Sequence, residues 1–353
     1  MQYILQNRKG LILLKKYDMV VIGSGAALIV MEEALAKGKT CAVIEKAKFG
    51  GTCLTKGCIP SKTLVYPADF IREAEHARKF GVTTAAPVID WELISGRVWE
   101  QINLSKKLQQ NLEETPNLTV YHGKGTFTSP TEMIVSYDDG RPDNRISGDK
   151  FVIGAGARTL VPDIPGLETA GYLTSERFFG AGFPAKPWDS LVIVGGGAIS
   201  TEFAHIFSAF GTKVTLILRS EKILKKEEEE VADFVTKQFE NNGIRIINNS
   251  AITEAGKDEN GKYLITENRL TGENVKVQCE EILIASGVRT NGDTLDLDKA
   301  GVETDKRGWI VTNAYLETSQ PHIWAIGDIN GKYQFRHKAN YEAQIVADNL
   351  YSG

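Results

Sequence analysis

Two stretches of the chain share one local pattern: an apolar run, a turn rich in glycine and then a helical periodicity. The first run, 19–22, leads into the turn Gly23-Ser24-Gly25-Ala26-Ala27-Leu28. The second run, 191–194, leads into Gly195-Gly196-Gly197-Ala198-Ile199-Ser200. Strand, glycine turn and helix in this order bind a pyrophosphate at the amides of the helix N-terminus. We therefore predict an α/β fold with two doubly wound nucleotide-binding domains.

Both turns depart from the fingerprint at its third glycine, where Leu28 and Ser200 stand. The first unit is supported by a second apolar strand, 41–45, which ends in Glu45, 22 residues after Gly23. An acid at that place accepts hydrogen bonds from a ribose diol. The first unit is therefore predicted to bind a dinucleotide despite Leu28.

The second unit carries no acid at the equivalent place. Its second strand, 213–218, is followed by Arg219, and Lys225 comes six residues later. An acid selects NAD through the 2′-hydroxyl, whereas cations accommodate the 2′-phosphate of NADP. We therefore predict NADP rather than NAD. The alternative is that Arg219 and Lys225 are solvated surface charges.

Two cysteines lie between these units, in the stretch 50–62, Gly-Gly-Thr-Cys-Leu-Thr-Lys-Gly-Cys-Ile-Pro-Ser-Lys. Residues five apart on an ideal helix have Cα atoms roughly 9 Å apart, whereas a disulfide needs about 4.4–6.8 Å. Cys53 and Cys58 can form a bridge only if the backbone bends, which Gly57 permits, and Pro60 suits the first turn of a following helix. A redox pair is the favoured interpretation. A metal site, which needs further ligands, and inert buried thiols are the alternatives.

The cysteine stretch resembles the active site of the pyridine nucleotide–disulfide oxidoreductases. These FAD enzymes include dihydrolipoamide dehydrogenase, glutathione reductase, mycothione reductase and mercuric reductase. The resemblance continues at intervals from about residue 17 to the end of the chain. It implies a redox-active disulfide in which Cys53 exchanges with substrate and Cys58 faces the flavin. It also implies that Lys62 pairs with Glu202 near flavin N5.

The resemblance further implies two sets of cofactor contacts. The FAD contacts follow the first turn, the cysteine stretch and the late motif 318–328, and they are Gly23, Ser24, Gly25, Ala26, Glu45, Lys46, Gly51, Thr52, Gly125, Gly156, Gly327, Asp328, His337 and Ala339. The NAD(P) contacts are Gly195, Gly197, Ile199, Arg219, Lys225 and Gly287.

The same resemblance implies a domain order. It consists of an N-terminal extension over 1–16, an FAD-binding part over 17–160 with the disulfide, an NAD(P)-binding domain over 161–286 and a second FAD-binding part over 287–353. Relatives continue into a dimerisation domain with a His-Glu acid–base pair. We expect that domain to be absent here, and the full-length protein to be a homodimer.

Composition excludes other classes of protein. Hydrophobic residues at 42% and charged residues at 24% are ordinary for a soluble globular chain. A net charge of −4 gives no reason to expect nucleic acid or a membrane as partner. No run approaches the roughly 18–20 apolar residues of a membrane span. Four cysteines, with Cys41 and Cys279 isolated, fit a reducing compartment, so we predict a cytoplasmic protein without a metal site.

The predicted function is electron transfer between NAD(P)H, FAD and the Cys53–Cys58 disulfide, with a small-molecule disulfide or dithiol as substrate. It is most like that of dihydrolipoamide dehydrogenase or an NADPH-dependent disulfide reductase. Two alternatives stay open. One is a short NAD(P)H:acceptor flavoprotein of the diaphorase type, and the other is a non-catalytic FAD-binding protein that signals redox state.

Overall fold

The computed structural model describes residues 3–5 and 12–352 of the 353-residue chain. The helices, in chain order, are α1 Leu28–Ala36, α2 Gly51–Thr55, α3 Cys58–His76, α4 Trp91–Glu113, α5 Leu167–Ala170, α6 Ser175–Phe178, α7 Ala198–Ala209, α8 Glu229–Asn241, α9 Leu297–Ala300 and α10 Arg336–Tyr351. Three short 3₁₀ turns span Ala77–Phe80, Gly292–Thr294 and Gly327–Asn330. Together with the strands below, these elements confirm the predicted α/β class.

Seventeen strands are described along with these helices. They are β1 Tyr3–Leu5, β2 Ile12–Ile22, β3 Cys41–Glu45, β4 Leu118–His122, β5 Lys124–Ser129, β6 Glu132–Ser136, β7 Asn144–Ile153, β8 Ala157–Thr159, β9 Ser190–Val194, β10 Lys213–Ile217, β11 Arg245–Ile247, β12 Ser250–Asp258, β13 Gly261–Asn268, β14 Asn274–Cys279, β15 Glu281–Ile284, β16 Val288–Thr290 and β17 Ile323–Ala325.

The chain divides into two compact units. The first contains 1–55, 103–158 and 289–353, and the second contains 56–102 and 159–288. The sequence instead places 56–102 with the FAD-binding part. Compactness and nucleotide binding are different criteria, so the domain ranges remain a prediction.

The first unit is built on a sheet with a parallel half. Strands β4, β3, β2 and β7 lie side by side in that order, β17 pairs with β7, and all these pairs are parallel. Numbered by appearance along the chain, this is the order 3-2-1-4-5 of a doubly wound nucleotide-binding sheet. Strands β5 and β6 extend it as an antiparallel meander. The carboxyl ends of the parallel strands therefore lead directly into the first glycine turn, Glu45 and the turn that carries Asp328.

The second unit repeats the parallel arrangement on a smaller scale. Its sheet has the order β11-β10-β9-β15, with every pair parallel, and a separate antiparallel sheet contains β12, β13 and β14. Strand β9 leads into the second glycine turn, β10 into Arg219 and β15 into the loop with Gly287. Ligands of such sheets bind outside the carboxyl ends of the strands.

Each unit has its own apolar core. The parallel strands are buried on both faces, which explains why they read as continuous apolar runs: Val20, Val21, Leu191 and Ile193 are all inaccessible to solvent. Rings of Phe178, Phe203 and Phe207 pack edge to face or stacked in the second unit.

Residues 3–5 and 12–16 of the N-terminal segment, to which the sequence assigns no role, contribute to the first sheet. Strand β1 pairs antiparallel with the beginning of β2, with Tyr3 opposite Leu14. Residues 1–2 and 6–11 of the predicted extension lie outside the described residues. The predicted strand over 19–22 is thus the end of a longer strand.

Candidate functional site

The first glycine turn has a shape that only glycine allows. Gly23 has a φ of +94°, and a Cβ there would lie 2.4 Å from the carbonyl oxygen of Gly154. Gly51 has a φ of +67°, and its Cβ would lie 2.9 Å from the Cα of Gly25. Two glycine backbones therefore approach each other here more closely than a side chain on Gly51 would allow.

Glu45 is fastened to the same turn. Its Oε2 accepts hydrogen bonds from the Ser24 amide at 3.0 Å and from Ser24 Oγ at 2.7 Å, and its Oε1 accepts one from the Ala47 amide at 2.9 Å. Ser24 is buried, and its hydroxyl also accepts a hydrogen bond from the Gly50 amide at 3.0 Å. A carboxylate has about four acceptor sites. Glu45 therefore retains capacity for a ribose hydroxyl while it is held in place.

Asp328 presents a carboxylate in need of donors. It lies in the turn Gly327–Asn330 after β17, and burial, together with the charge of Glu342, raises its pKa to about 6. Within the described ranges, no hydrogen bond to this carboxylate is formed. A ligand hydroxyl is the type of donor that the carboxylate lacks, so the site fits a polyol chain such as the ribityl group of FAD.

The remaining predicted FAD contacts fall into four groups. Ala26 and Ala339 are buried, and Gly156 and Gly327 have positive φ values of +67° and +72°. Gly125 is a packing position, because a Cβ there would meet Met133 Cε at 3.0 Å. The exposed members are Lys46, Thr52 and His337.

The second glycine turn explains its missing third glycine. Gly195 has a φ of +127°, and a Cβ there would lie 2.3 Å from the Ala285 carbonyl oxygen. Ser200 is fully buried, and its hydroxyl donates to that same oxygen at 3.3 Å. The small side chain is tolerated at the close approach because it hydrogen-bonds the strand. Gly197 and Ile199 are exposed.

Basic residues follow the second strand of this sheet. Arg219 and Lys225 are both exposed. Arg269, which the sequence reasoning missed, donates from Nη1 to the Arg219 carbonyl oxygen at 3.3 Å. Lys222 differs from them, because it forms ion pairs with Glu229 at 2.8 Å and Asp233 at 2.7 Å.

The loop after β15 completes the edge of this sheet. Gly287 is exposed there with a φ of +119°.

No local signal in the sequence reveals Arg269, since it stands 50 residues from Arg219 and reaches it only through the fold of the β12–β14 sheet.

The two cysteines lie on separate helices. Cys53 lies half-buried in α2, and Cys58 is the first residue of α3, where it is an exposed free thiol. The helical path is interrupted at Gly57, with φ −141° and ψ −119°, and Pro60 lies in the first turn of α3. The predicted break at Gly57 and helix start near Pro60 are confirmed.

Helix α3 carries a polar cluster one turn after Cys58. Lys62 Nζ forms an ion pair with Glu202 Oε1, and Ser61 Oγ donates to Glu202 Oε2 at 3.1 Å. Ser61 is buried, whereas Lys62 is largely exposed. The structure thus brings the predicted pair Lys62 and Glu202 together. It adds Ser61, which lies in the cysteine stretch but has no predicted role.

The other two cysteines are chemically quiet. Cys41 and Cys279 are buried in strands, and burial raises the pKa of each thiol to about 12. In the part of the chain that the structure describes, no three histidine, cysteine or acidic side chains form a group that could hold a metal ion. None of the described helices is both long and apolar enough to cross a membrane.

Comparison with known proteins agrees with this geometry. The chain is 30% identical over 338 residues to a mercuric reductase of Staphylococcus aureus, covering 94% of this chain and 59% of that protein. It is 32% identical over 342 residues to a dihydrolipoyl dehydrogenase of Chlamydia pneumoniae, covering 95% and 70%. The chain therefore spans between about three fifths and seven tenths of the length of these two relatives.

A solved structure shares the fold. The Cu(II) complex of the HOCl-induced flavoprotein disulfide reductase RclA from Escherichia coli superimposes with a TM-score of 0.83 at 32% identity, covering 96% of this chain and 71% of that one. The family model described as pyridine nucleotide-disulphide oxidoreductase matches residues 17–343. Since that match takes in both glycine turns, the cysteine stretch and Asp328, the chain belongs to the pyridine nucleotide-disulphide oxidoreductase family.

Proposed function

We propose that this chain transfers electrons from NADPH through FAD to the Cys53–Cys58 pair and from there to a small-molecule disulfide. The observation that carries the proposal is the position of Lys62. It stands on the helix that begins at Cys58, and it pairs with Glu202 on α7, the helix that follows the second glycine turn. One ion pair thus links the cysteine helix to a dinucleotide-binding helix.

The residues of the first unit fit FAD. The glycine turn before α1 suits a pyrophosphate, Glu45 suits the adenosine ribose, and Asp328 suits the ribityl hydroxyls. When bound, FAD supplies acceptance of a hydride and onward transfer of two electrons to a disulfide. Glu202 would hold the Lys62 ammonium in one orientation at the start of α3 during that transfer.

The dithiol then performs exchange with the substrate. Two electrons and two protons convert the Cys53–Cys58 disulfide to two thiols. The Cys53 thiolate attacks a substrate disulfide RSSR, forming a Cys53–SR mixed disulfide and releasing one RS⁻. The Cys58 thiolate attacks Cys53 Sγ, releases the second RS⁻ and restores the starting disulfide. With a dithiol as substrate and NAD as the final electron acceptor, the same steps run in reverse.

The cations after β10 support NADPH as the preferred donor. Arg219 and Lys225 are exposed, and Arg269 contributes a third positive charge close to the Arg219 backbone. A 2′-phosphate would interact favourably with this group, whereas the 2′-hydroxyl of NADH offers no charge to it.

The substrate class and the partners belong to the same proposal. A low-molecular-weight disulfide or dithiol is the substrate class, and the names of the relatives add lipoamide and Hg(II) to the compounds worth testing. We further propose that the full-length protein is a cytoplasmic homodimer.

An anaerobic titration tests the proposal. Purified protein should contain FAD, NADPH should bleach its absorbance, and thiol labelling should increase by two per chain afterwards. Turnover is then measured with lipoamide, glutathione disulfide, other small disulfides and Hg(II). A protein that reduces dyes but gains no thiols would instead be an acceptor-type flavoprotein. Failure of both NADPH and NADH to bleach the flavin would contradict any catalytic function.

A further inference from the structure

Glu342 is a buried carboxylate that is not among the predicted site residues. It lies in the second turn of α10 and is only 2% exposed. A buried carboxylate is unfavourable unless hydrogen bonds compensate the loss of water. Its partners therefore indicate what it does in the fold.

Both partners of Glu342 belong to one short turn. Its Oε2 accepts hydrogen bonds from the Gly327 amide at 2.7 Å and from Asn330 Nδ2 at 3.0 Å. Gly327 and Asn330 are the first and last residues of the turn that carries Asp328. One buried oxygen thus fastens both ends of the turn, and Asp328 lies between the fastened ends.

The same residue also acts on Asp328 through its charge. Burial is the larger cause of the raised Asp328 pKa, and the Glu342 carboxylate is the charged group that raises it further. Asn330, the other polar side chain of the turn, is neutral. A carboxylate of higher pKa is a stronger hydrogen-bond acceptor, so Glu342 makes Asp328 a better partner for ligand hydroxyls.

We propose that Glu342 is a positioning residue of the FAD site, which holds the turn Gly327–Asn330 so that Asp328 receives the ribityl hydroxyls. This inference rests on the proposed binding of FAD to the chain. Glu342 does not touch the ligand in this proposal; it acts through the backbone of Gly327, the amide of Asn330 and its charge.

Two substitutions separate the two actions. In Glu342→Gln, the remaining carbonyl oxygen can still accept from Gly327 and Asn330, but the charge is lost. In Glu342→Ala, both the hydrogen bonds and the charge are lost. Asp348→Asn is the matched control, because it removes one negative charge from an exposed place on the same helix.

The measurement is the affinity of the FAD-free full chain for FAD between pH 5 and 8. Binding is monitored by the quenching of flavin fluorescence. Glu342→Ala should weaken binding at pH 7.5 by about tenfold or more, as expected when hydrogen bonds to a charged group are removed. Glu342→Gln should remain within about threefold of wild type at that pH. Wild-type affinity should decline below about pH 6, where Asp328 takes up a proton. In Glu342→Gln this decline should begin at a lower pH, and Asp348→Asn should leave it unchanged.

Each outcome of these measurements either supports or contradicts the positioning role of Glu342. Unchanged FAD affinity in Glu342→Ala, or a decline at the same pH in Glu342→Gln and wild type, would overturn the inference while leaving the proposed function intact. If Glu342→Ala fails to fold by circular dichroism, the pH at which Glu342→Gln loses affinity remains the deciding result. A wild-type chain that binds no FAD at all would instead overturn the proposed function, and this inference with it.

Discussion

The Glu202 carboxylate receives two side chains of one helix on its two oxygens: Lys62 pairs with Oε1, and Ser61 donates to Oε2 at 3.1 Å. Because Ser61 is buried, it fixes the carboxylate, and the carboxylate in turn fixes the more exposed Lys62. This arrangement suits a role for Lys62 in presenting its ammonium group in one orientation. It suits a role in stabilising the fold less well.

Glu202→Gln should therefore slow the reduction of bound FAD by NADPH while leaving stability almost unchanged. We expect about a tenfold or larger loss in the stopped-flow rate, since a charge-assisted hydrogen bond is lost. The melting temperature should hardly move, because half-exposed pairs contribute about 0–1 kcal/mol. Glu281→Gln, which breaks the Lys262–Glu281 pair in the same unit, is the control and should leave the reduction rate alone. Equal rates in Glu202→Gln and wild type would contradict a role for the pair.

The two active-site cysteines should differ in their spectra. If Cys58 faces the flavin, Cys58→Ser should abolish the long-wavelength thiolate–flavin absorbance that appears on two-electron reduction. Cys53→Ser should show such a band without any reductant, because Cys58 is then a permanent thiol. The reverse pattern would exchange the roles of the two residues.

Thiol labelling should separate the four cysteines into two classes. Once the Cys53–Cys58 pair is reduced, the half-buried Cys53 and the exposed Cys58 form one class, whereas Cys41 and Cys279 are buried with pKa values raised to about 12. Since the thiolate is the reactive form, the two buried cysteines should resist labelling in native protein at pH 7 to 9 and react only after denaturation. Mass spectrometry of the labelled peptides identifies the sites. Rapid labelling of Cys41 or Cys279 in native protein would contradict their burial.

Removal of the cations after β10 should change the choice of dinucleotide. We expect Arg219→Ala combined with Lys225→Ala to weaken binding of 2′,5′-ADP by about tenfold or more, because charge-assisted bonds to phosphate are lost, with little effect on 5′-AMP. Calorimetry with both nucleotides measures this. Lys226→Ala, an exposed neighbour, serves as the control. A wild-type protein that is reduced at least as fast by NADH as by NADPH would contradict the preference itself.

Asp328→Asn should weaken FAD binding but stabilise the FAD-free protein at neutral pH. The folded-state pKa of about 6 lies above the ordinary value of 3.8. The folded form therefore binds more protons between these values, and stability falls as pH rises from about 4 through 6. Replacing the carboxylate removes this loss, which should amount to about 3 kcal/mol at pH 7. Denaturant unfolding of the FAD-free wild type and of the FAD-free Asp328→Asn variant at pH 5 and pH 7 tests this prediction. A difference in unfolding free energy between the two proteins that is the same at both pH values would contradict it.

The sequence by itself determined the features that depend on local conformation. Gly23 and Gly195 are recognisable because each follows an apolar strand, and their positive φ values are a property of the turn alone. The interruption at Gly57 and the start of α3 follow from glycine and proline at fixed spacing. Glu45 could be found because the strand that carries it ends a fixed distance after the turn.

Only the tertiary structure decided the contacts between distant segments. Ser61 and Glu202 are 141 residues apart, and Arg219 and Arg269 are 50 apart, so no periodicity relates them. Glu342 looks from its sequence like an ordinary polar residue of a helix, and its burial beneath the turn of Asp328 appears only when α10 packs against that turn. The physical reason is that backbone conformation is set by neighbouring residues, whereas burial and hydrogen-bond partners are set by how the strands and helices pack.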